Sequence, residues 1–185
     1  MFIYDTKALG VKSSKLITEF LAKIVERLDL RSKRLQIGRI TDNCPSGGSF
    51  QLSDKVSGLD FSEIHLPSYT ELLKKVRRSA FSSEYGGRSG ASNMAVLFVD
   101  SEMQGLDDAF INEASQMKKQ ANVFTVTIGN GQLIAKFADN FKISQQLHVD
   151  SYADLDKAAD EFLTQMCDFF VFDALDYDID YVVPL

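Results

Sequence analysis

Two short apolar runs in this chain each end on an aspartate. The run 2–4 is followed by Asp5, and the run 94–99 is followed by Asp100. Such a run is typical of a parallel strand that is buried on both faces of a sheet. Because open α/β sheets bind ligands beyond the carboxyl ends of their strands, two neighbouring strands of this kind would place both carboxylates at a ligand-binding edge. The residues around Asp5 and Asp100 therefore decide what kind of site this edge holds.

Helical and strand-like periodicities alternate along the rest of the chain. Apolar residues at helical spacing predict helices over about 13–29, 67–80, 106–117, 133–137 and 155–167. Further strands are predicted at 35–40, 50–52, 123–128 and 146–149, and the turn residues 44–49 favour a hairpin between the first two of these. The pattern predicts an α/β fold that is Rossmann-like and doubly wound. We expect a mostly parallel six-stranded sheet with one antiparallel hairpin strand and helices on both faces.

Length and charge divide the chain into a domain and a tail. A chain of 185 residues with 45% hydrophobic residues can build one full core, and we expect this domain to span 1–167. We expect residues 168–185, with five aspartates and no lysine or arginine, to form an acidic and aromatic tail or linker. The net charge is −6, and without a basic surface no nucleic-acid partner is expected. No apolar run is long enough to span a membrane.

The sequence lacks the motifs of common enzyme classes. No glycine-rich dinucleotide or phosphate loop follows a strand, and no nucleophile elbow is present. The two cysteines, Cys44 and Cys167, are too few for a disulfide scaffold and have no metal-ligand spacing. The chain is therefore not expected to be an enzyme.

In their order and in their amino-acid sequence, these elements resemble a von Willebrand factor type A domain, most closely the kind found in matrilins and collagen VI. The resemblance runs from Phe2 to Cys167 and is carried by the stretches 2–5, 77–81, 86–90 leading into 96–100, 107–119, 123–129 and 148–167. It implies a secreted module of the extracellular matrix that serves adhesion. Many such domains carry a metal-ion-dependent adhesion site at the top of the sheet, where hydroxyl and carboxylate oxygens surround Mg²⁺.

The metal-site pattern of this family is only partly present. It consists of D-x-S-x-S after the first strand, a threonine before a later helix and an aspartate that ends the fourth strand. Asp5 and Asp100 match the first and last of these positions, but Lys7 and Leu9 stand where the two serines belong. The threonine position falls near Pro67, and the nearest hydroxyls are displaced from it. The resemblance thus implies a degenerate site whose candidate residues are Asp5, Lys7, Ser68, Thr70 and Asp100.

Lys7 suggests how such a site could do without a metal. Two facing carboxylates repel one another, and an ammonium group beside them relieves that repulsion. We expect Lys7 to pair with Asp5 or Asp100 and the site to need no cofactor. Two alternatives stay open: a divalent cation (Mg²⁺, Ca²⁺ or Zn²⁺) bound by Asp5 and Asp100, or a Lys7 side chain that points into solvent.

The fold implied by the resemblance also constrains the cysteines. Cys44 would lie on the upper side with Asp5, and Cys167 at the lower end of the last helix, beyond the roughly 7 Å that a disulfide allows between Cα atoms. Similar matrix domains pair the C-terminal cysteine with one before the first strand, which this chain starts too late to contain. We therefore expect an excerpt of a longer protein, in which Cys44 or Cys167 links to another chain or to a cysteine outside the excerpt.

The expected function is a non-enzymatic, secreted adhesion module that binds a matrix protein such as collagen without a metal. Three alternatives remain. They are a metal-dependent adhesion domain with an incomplete site, an acidic matrix protein associated with mineral, and an intracellular scaffold built on the same domain.

Overall fold

The centre of the fold is a sheet of parallel strands, seen in a computed structural model that describes residues 1–28, 37, 39–41, 68–85, 87–103, 106–131 and 146–175. The strands are β1 (Phe2–Tyr4), β2 (Arg39–Thr41), β3 (Met94–Asp100), β4 (Asn122–Ile128) and β5 (Gln146–Val149). They lie in the order β2-β1-β3-β4-β5, and each pairs with its neighbours in parallel. The predicted α/β class with a parallel sheet is confirmed. The predicted antiparallel strand at 50–52 and helix at 133–137 lie outside the described residues, so the six-stranded sheet stays a prediction.

The described helices are α1 (Thr6–Arg27), α2 (Tyr69–Ser79), α3 (Asp108–Met117) and α4 (Leu155–Leu175). The helix predicted from about residue 13 is preceded by a short helical stretch that begins directly after Asp5. The two stretches are separated at Gly10, whose φ of +76° favours glycine. One predicted boundary was wrong. The last helix does not end at Cys167 but continues to Leu175, since residues 168–175 contain neither glycine nor proline to stop it. Within the described part of the chain, no helix combines the length and apolar character needed to cross a membrane.

Among the described residues, each face of the sheet packs against two helices. Because side chains alternate between the faces of a strand, neighbouring residues of one strand enter different cores. On one face, Phe2 and Phe98 pack with α1 and α4 around Phe162. On the other face, Ile3 and Leu97 pack with α2 and α3. All five side chains are buried, which explains why the central strands are apolar throughout instead of alternating with polar residues.

The order of the strands reverses at β1. From β1 the chain first moves outward to β2, and it later returns across β1 to place β3 on the other side. Open α/β sheets bind ligands in the crevice at such a reversal. Asp5 follows β1 and Asp100 ends β3, so the two aspartates flank the reversal, as their apolar runs predict.

Candidate functional site

The carboxyl ends of β1 and β3 are joined by a buried tyrosine. The paired register of these strands ends at Ile3 opposite Leu97. The Tyr69 hydroxyl donates to the backbone oxygens of Ile3 at 2.8 Å and Phe98 at 3.1 Å. Burial raises the pKa of Tyr69, and the negative charge of Asp5 raises it further. The hydroxyl therefore keeps the proton that it donates to the two strands.

Both carboxylate oxygens of Asp100 accept hydrogen bonds from the chain itself. Oδ1 accepts from the backbone N–H of Glu102 at 2.8 Å, and Oδ2 accepts from the hydroxyl of Tyr152 at 2.5 Å. The second is a short, charge-assisted bond of the strong kind. Asp100 is thus held both by its own turn and by a distant part of the chain.

Tyr152 reaches Asp100 from the 3₁₀ turn Tyr152–Asp154, which connects β5 to α4. Burial raises the pKa of the Tyr152 hydroxyl, and the hydrogen bond to Asp100 and the charge of that carboxylate raise it further, whereas a hydrogen bond with Ser13 acts in the opposite direction. The phenol is therefore protonated at neutral pH and serves as a donor. The sequence analysis did not identify Tyr69 or Tyr152. The available signal for Tyr152 was its place just after a strand that ends at this edge.

Hydrogen bonds also fix the loops beside Asp100. The N–H of Ser101 donates to Ile128 O at 2.9 Å, and the N–H of Gly129 donates to Val149 O at 3.0 Å. The Ser101 hydroxyl accepts from the N–H of Asn130 at 3.2 Å. Gly129 has a φ of +98°, and a Cβ at this position would collide with the Ser101 hydroxyl, so the close approach requires glycine. These bonds tie Ser101, Gly129 and Asn130 to the ends of β4 and β5 beside Asp100.

The segment after β1 carries the first three ligand positions of the family pattern. Asp5 is buried, with 8% of its surface exposed. Lys7 lies in the first turn of α1, and its side chain is outside the described part of the structure, so its pairing with Asp5 or Asp100 stays a prediction. Leu9 is partly buried and packs against the core that α1 and α4 form with the sheet. An apolar, packed side chain thus stands in the place of the second serine.

Ser68 caps α2. Its hydroxyl oxygen accepts from the N–H of Glu71 at 3.3 Å, and its backbone oxygen accepts from the N–H of Leu72 at 3.1 Å. This N-cap arrangement satisfies N–H groups that a helix start leaves free. Thr70 lies in the first turn of the same helix and is partly buried. Ser68 precedes Tyr69, whose hydroxyl contacts the ends of both β1 and β3. We use the name upper rim for the four residues at these strand ends, which are Asp5, Ser68, Asp100 and Tyr152.

Ser68→Ala is expected to lower the free energy of unfolding by about 1 kcal/mol, because an N–H of α2 loses its cap. Urea denaturation followed by circular dichroism measures the change. Ser68→Asn should retain the stability, since asparagine caps as well as serine, and Thr70→Ala should cost less than Ser68→Ala. An equal loss in Ser68→Ala and Ser68→Asn would contradict the capping role.

The oxygen atoms described at the upper rim do not form the ligand set of a divalent cation. Mg²⁺ requires about six oxygens in an octahedron. The serine positions hold Lys7 and Leu9, the Ser68 hydroxyl caps a helix, and Asp100 already accepts on both oxygens. Among the described residues, no group of three His, Cys, Asp or Glu is placed to hold a metal ion. Taken alone, these residues do not fit the metal that the resemblance implies.

Known proteins resemble this chain in sequence and in fold. The family model described as von Willebrand factor type A domain matches residues 6–160. Human matrilin-1 is 26% identical over 141 residues, which cover 70% of this chain and 28% of matrilin-1. Bovine matrilin-1 is likewise 26% identical over 141 residues, covering 70% of this chain and 25% of that protein.

Solved structures share the fold. Proximal thread matrix protein 1 from the mussel byssus superposes with a TM-score of 0.66 at 16% identity, over 90% of this chain and 46% of that chain. A structure of the same mussel protein with a zinc-occupied MIDAS motif gives a TM-score of 0.65 at 16% identity, over 90% of this chain and 47% of that one. The chain thus spans about a quarter of the length of the matrilins and about half of the mussel protein.

Proposed function

Because the chain belongs to the von Willebrand factor type A domain family, we propose that it is a non-enzymatic module of the extracellular matrix that binds a matrix protein through the upper rim. Collagen is the partner class that we expect. We further propose that the protein is secreted and that its binding requires no metal ion.

The relatives support a matrix role. Matrilin-1 is similar in sequence, and the mussel protein that shares the fold is a thread matrix protein by name. The chain covers 28% of human matrilin-1, so the partners of that whole protein are candidates only.

One observation carries the proposal: residues 6–160 match the family, while positions that would ligate its metal serve other purposes. Leu9 packs into the core, and the carboxylate of Asp100 is engaged by Tyr152 and Glu102. These contacts support a rim that is held together by the chain's own hydrogen bonds. A partner would then meet side chains and not a cation.

A second candidate is a metal-dependent adhesion domain. The mussel protein has been solved with a zinc-occupied MIDAS motif. Asp5 and Asp100 match two positions of the family's metal site, so two carboxylates of a ligand set are retained.

The two candidates predict different responses to chelation. The immobilised chain is exposed to triple-helical collagen in buffer with Mg²⁺ and Ca²⁺ and again in buffer with EDTA, and binding is followed by biolayer interferometry. We expect the same dissociation constant in both buffers, because no bridging cation is removed. Loss of binding in EDTA would favour the metal-dependent candidate, and absence of binding in both buffers would exclude collagen as the partner.

Calorimetric titration with Mg²⁺, Mn²⁺ and Zn²⁺ tests metal independence without a partner. We expect no saturable binding in the micromolar range. Micromolar binding that is lost in Asp100→Ala and retained in Asp108→Ala would contradict the proposal. Asp108 is a matched control because it is an exposed aspartate at the start of α3.

The other two alternatives gain no support from the described residues. A role with mineral depends on the acidic segment 168–185, of which 176–185 lie outside the described residues. Cys44, which would be a reduced thiol in an intracellular scaffold, lies outside them as well. The cysteine linkage and the domain boundary at 167 stay predictions.

A further inference from the structure

The two hydrogen bonds of Asp100 differ in origin. The N–H of Glu102 is two residues away, so any turn of this shape would supply it. The Tyr152 hydroxyl comes from 52 residues further along the chain and reaches Oδ2 only because β5 and α4 place it there. The second bond is therefore a tertiary contact that depends on the whole fold.

The turn that carries Tyr152 is itself fixed. The N–H of Asp154 donates to Ser151 O at 3.1 Å, and the Ser151 hydroxyl donates to Oδ2 of Asp154 at 2.6 Å. The ring of Tyr152 is partly buried and packs against the core beneath α1 and α4. Because the phenol is already held near Asp100, little conformational entropy is lost when the bond forms.

We propose that Tyr152 is a positioning residue that takes the place of a cation at Asp100. Its hydroxyl occupies one lone pair of Oδ2 and so weakens Asp100 as a metal ligand in this chain. The inference deepens the metal-independent form of the proposed function and rests on it. Where the family pattern has a metal ion drawing the site together, this chain has a neutral O–H donor from the β5–α4 turn.

The Tyr152 hydroxyl and a metal ion compete for the same carboxylate oxygen, Oδ2 of Asp100. A carboxylate that ligates Mg²⁺ must point a lone pair at an ion about 2.0–2.1 Å away. The hydroxyl oxygen of Tyr152 lies 2.5 Å from Oδ2 and directs its hydrogen at that atom. A cation cannot occupy the same direction. To ligate a metal through the lone pair that Tyr152 occupies, Asp100 must first break a charge-assisted hydrogen bond, which lowers the apparent metal affinity.

The test restores the two serine ligands with and without the phenol. Lys7→Ser/Leu9→Ser recreates the D-x-S-x-S pattern, and a second protein adds Tyr152→Phe to these two substitutions. Mn²⁺ affinity is measured by calorimetry on both. We expect the protein with Tyr152→Phe to bind Mn²⁺ about tenfold more tightly, as expected when a charge-assisted hydrogen bond no longer competes for the carboxylate. Equal affinities would overturn the proposal.

A stability cycle covers the case in which the multiple variants do not fold, since Leu9 packs on the core. Tyr152→Phe, Asp100→Ala and the double variant are compared by their urea midpoints. If the hydroxyl acts through Asp100, the double variant should have the midpoint of the less stable single variant. Additive shifts would show that the two side chains act independently and would overturn the proposal.

The proposed function and this inference fail in different ways. Micromolar metal binding by the unaltered chain, lost in Asp100→Ala, contradicts metal independence. The proposed function stays intact if the unaltered chain binds no metal. The role of Tyr152 is removed if Tyr152→Phe leaves the Mn²⁺ affinity unchanged and the stability cycle is additive.

Discussion

Phe162→Ala is expected to lower the free energy of unfolding by about 3–5 kcal/mol, the largest loss that we predict for a single substitution. Phe162 is fully buried in α4, and its ring lies 6.1 Å from Phe2, 5.5 Å from Phe20 and 5.1 Å from Phe124. The alanine removes the ring that connects β1, α1 and β4 and leaves a cavity that surrounding aromatic rings fill only in part. Urea denaturation monitored by far-ultraviolet circular dichroism measures the loss.

Two variants serve as controls for this prediction. Phe162→Leu keeps most of the apolar volume and should cost clearly less than the alanine. Thr164→Ala changes an exposed position of the same helix and should leave the stability nearly unchanged. A Phe162→Ala variant that unfolds at the same urea concentration as Thr164→Ala would show that α4 does not pack as described.

Tyr69→Phe is expected to cost about 1–3 kcal/mol, although it removes a single oxygen atom. The hydroxyl donates to Ile3 O and Phe98 O in a buried position where β1 and β3 separate. Phenylalanine leaves both backbone oxygens without that donor, and water cannot easily replace it in a buried site. Urea denaturation measures the loss, and hydrogen exchange at the ends of β1 and β3 should increase with it.

Tyr4→Phe is the matched control for Tyr69→Phe. Tyr4 lies in the same strand as Ile3, and its hydroxyl contacts the Thr18 hydroxyl at 3.3 Å. Thr18 also donates to Ser14 O at 2.9 Å and retains that bond when the phenol is removed. Tyr4→Phe should therefore cost less. If both substitutions cost the same, the bridge between β1 and β3 contributes nothing particular to the stability.

The parts of the fold that follow from local patterns could be predicted. A strand that is buried on both faces is apolar, and the first charged residue after it marks its end, as Asp5 and Asp100 do. Helices such as α2 and α3 show one apolar side at regular spacing. These signals depend only on whether each residue is buried. They therefore predict the parallel sheet, the helices and the edge that carries the two aspartates.

The partner of Asp100 could not be predicted because it depends on tertiary distance. The place of Tyr152 just after β5 indicates this edge of the sheet, but it does not indicate that the hydroxyl reaches a carboxylate 52 residues earlier. The sequence instead suggests Lys7, which is close to Asp5 and carries the opposite charge, and this pairing stays a prediction because the Lys7 side chain lies outside the described part of the structure. Ser68 was considered as a ligand, but its hydroxyl has a local partner, the N–H of Glu71, and serves as a helix cap.

The position of β1 in the sheet has a consequence for how the protein is made. Its residues pair with β2 on one side and with β3 on the other, so Phe2 meets Arg39 and Val96. Such non-local, parallel pairing makes folding slow, because long loops must close before the contacts that reward them can form. The edge of β1 that faces β3 therefore stays unpaired until β3 has been synthesised. An unpaired strand edge is a template for aggregation during that interval.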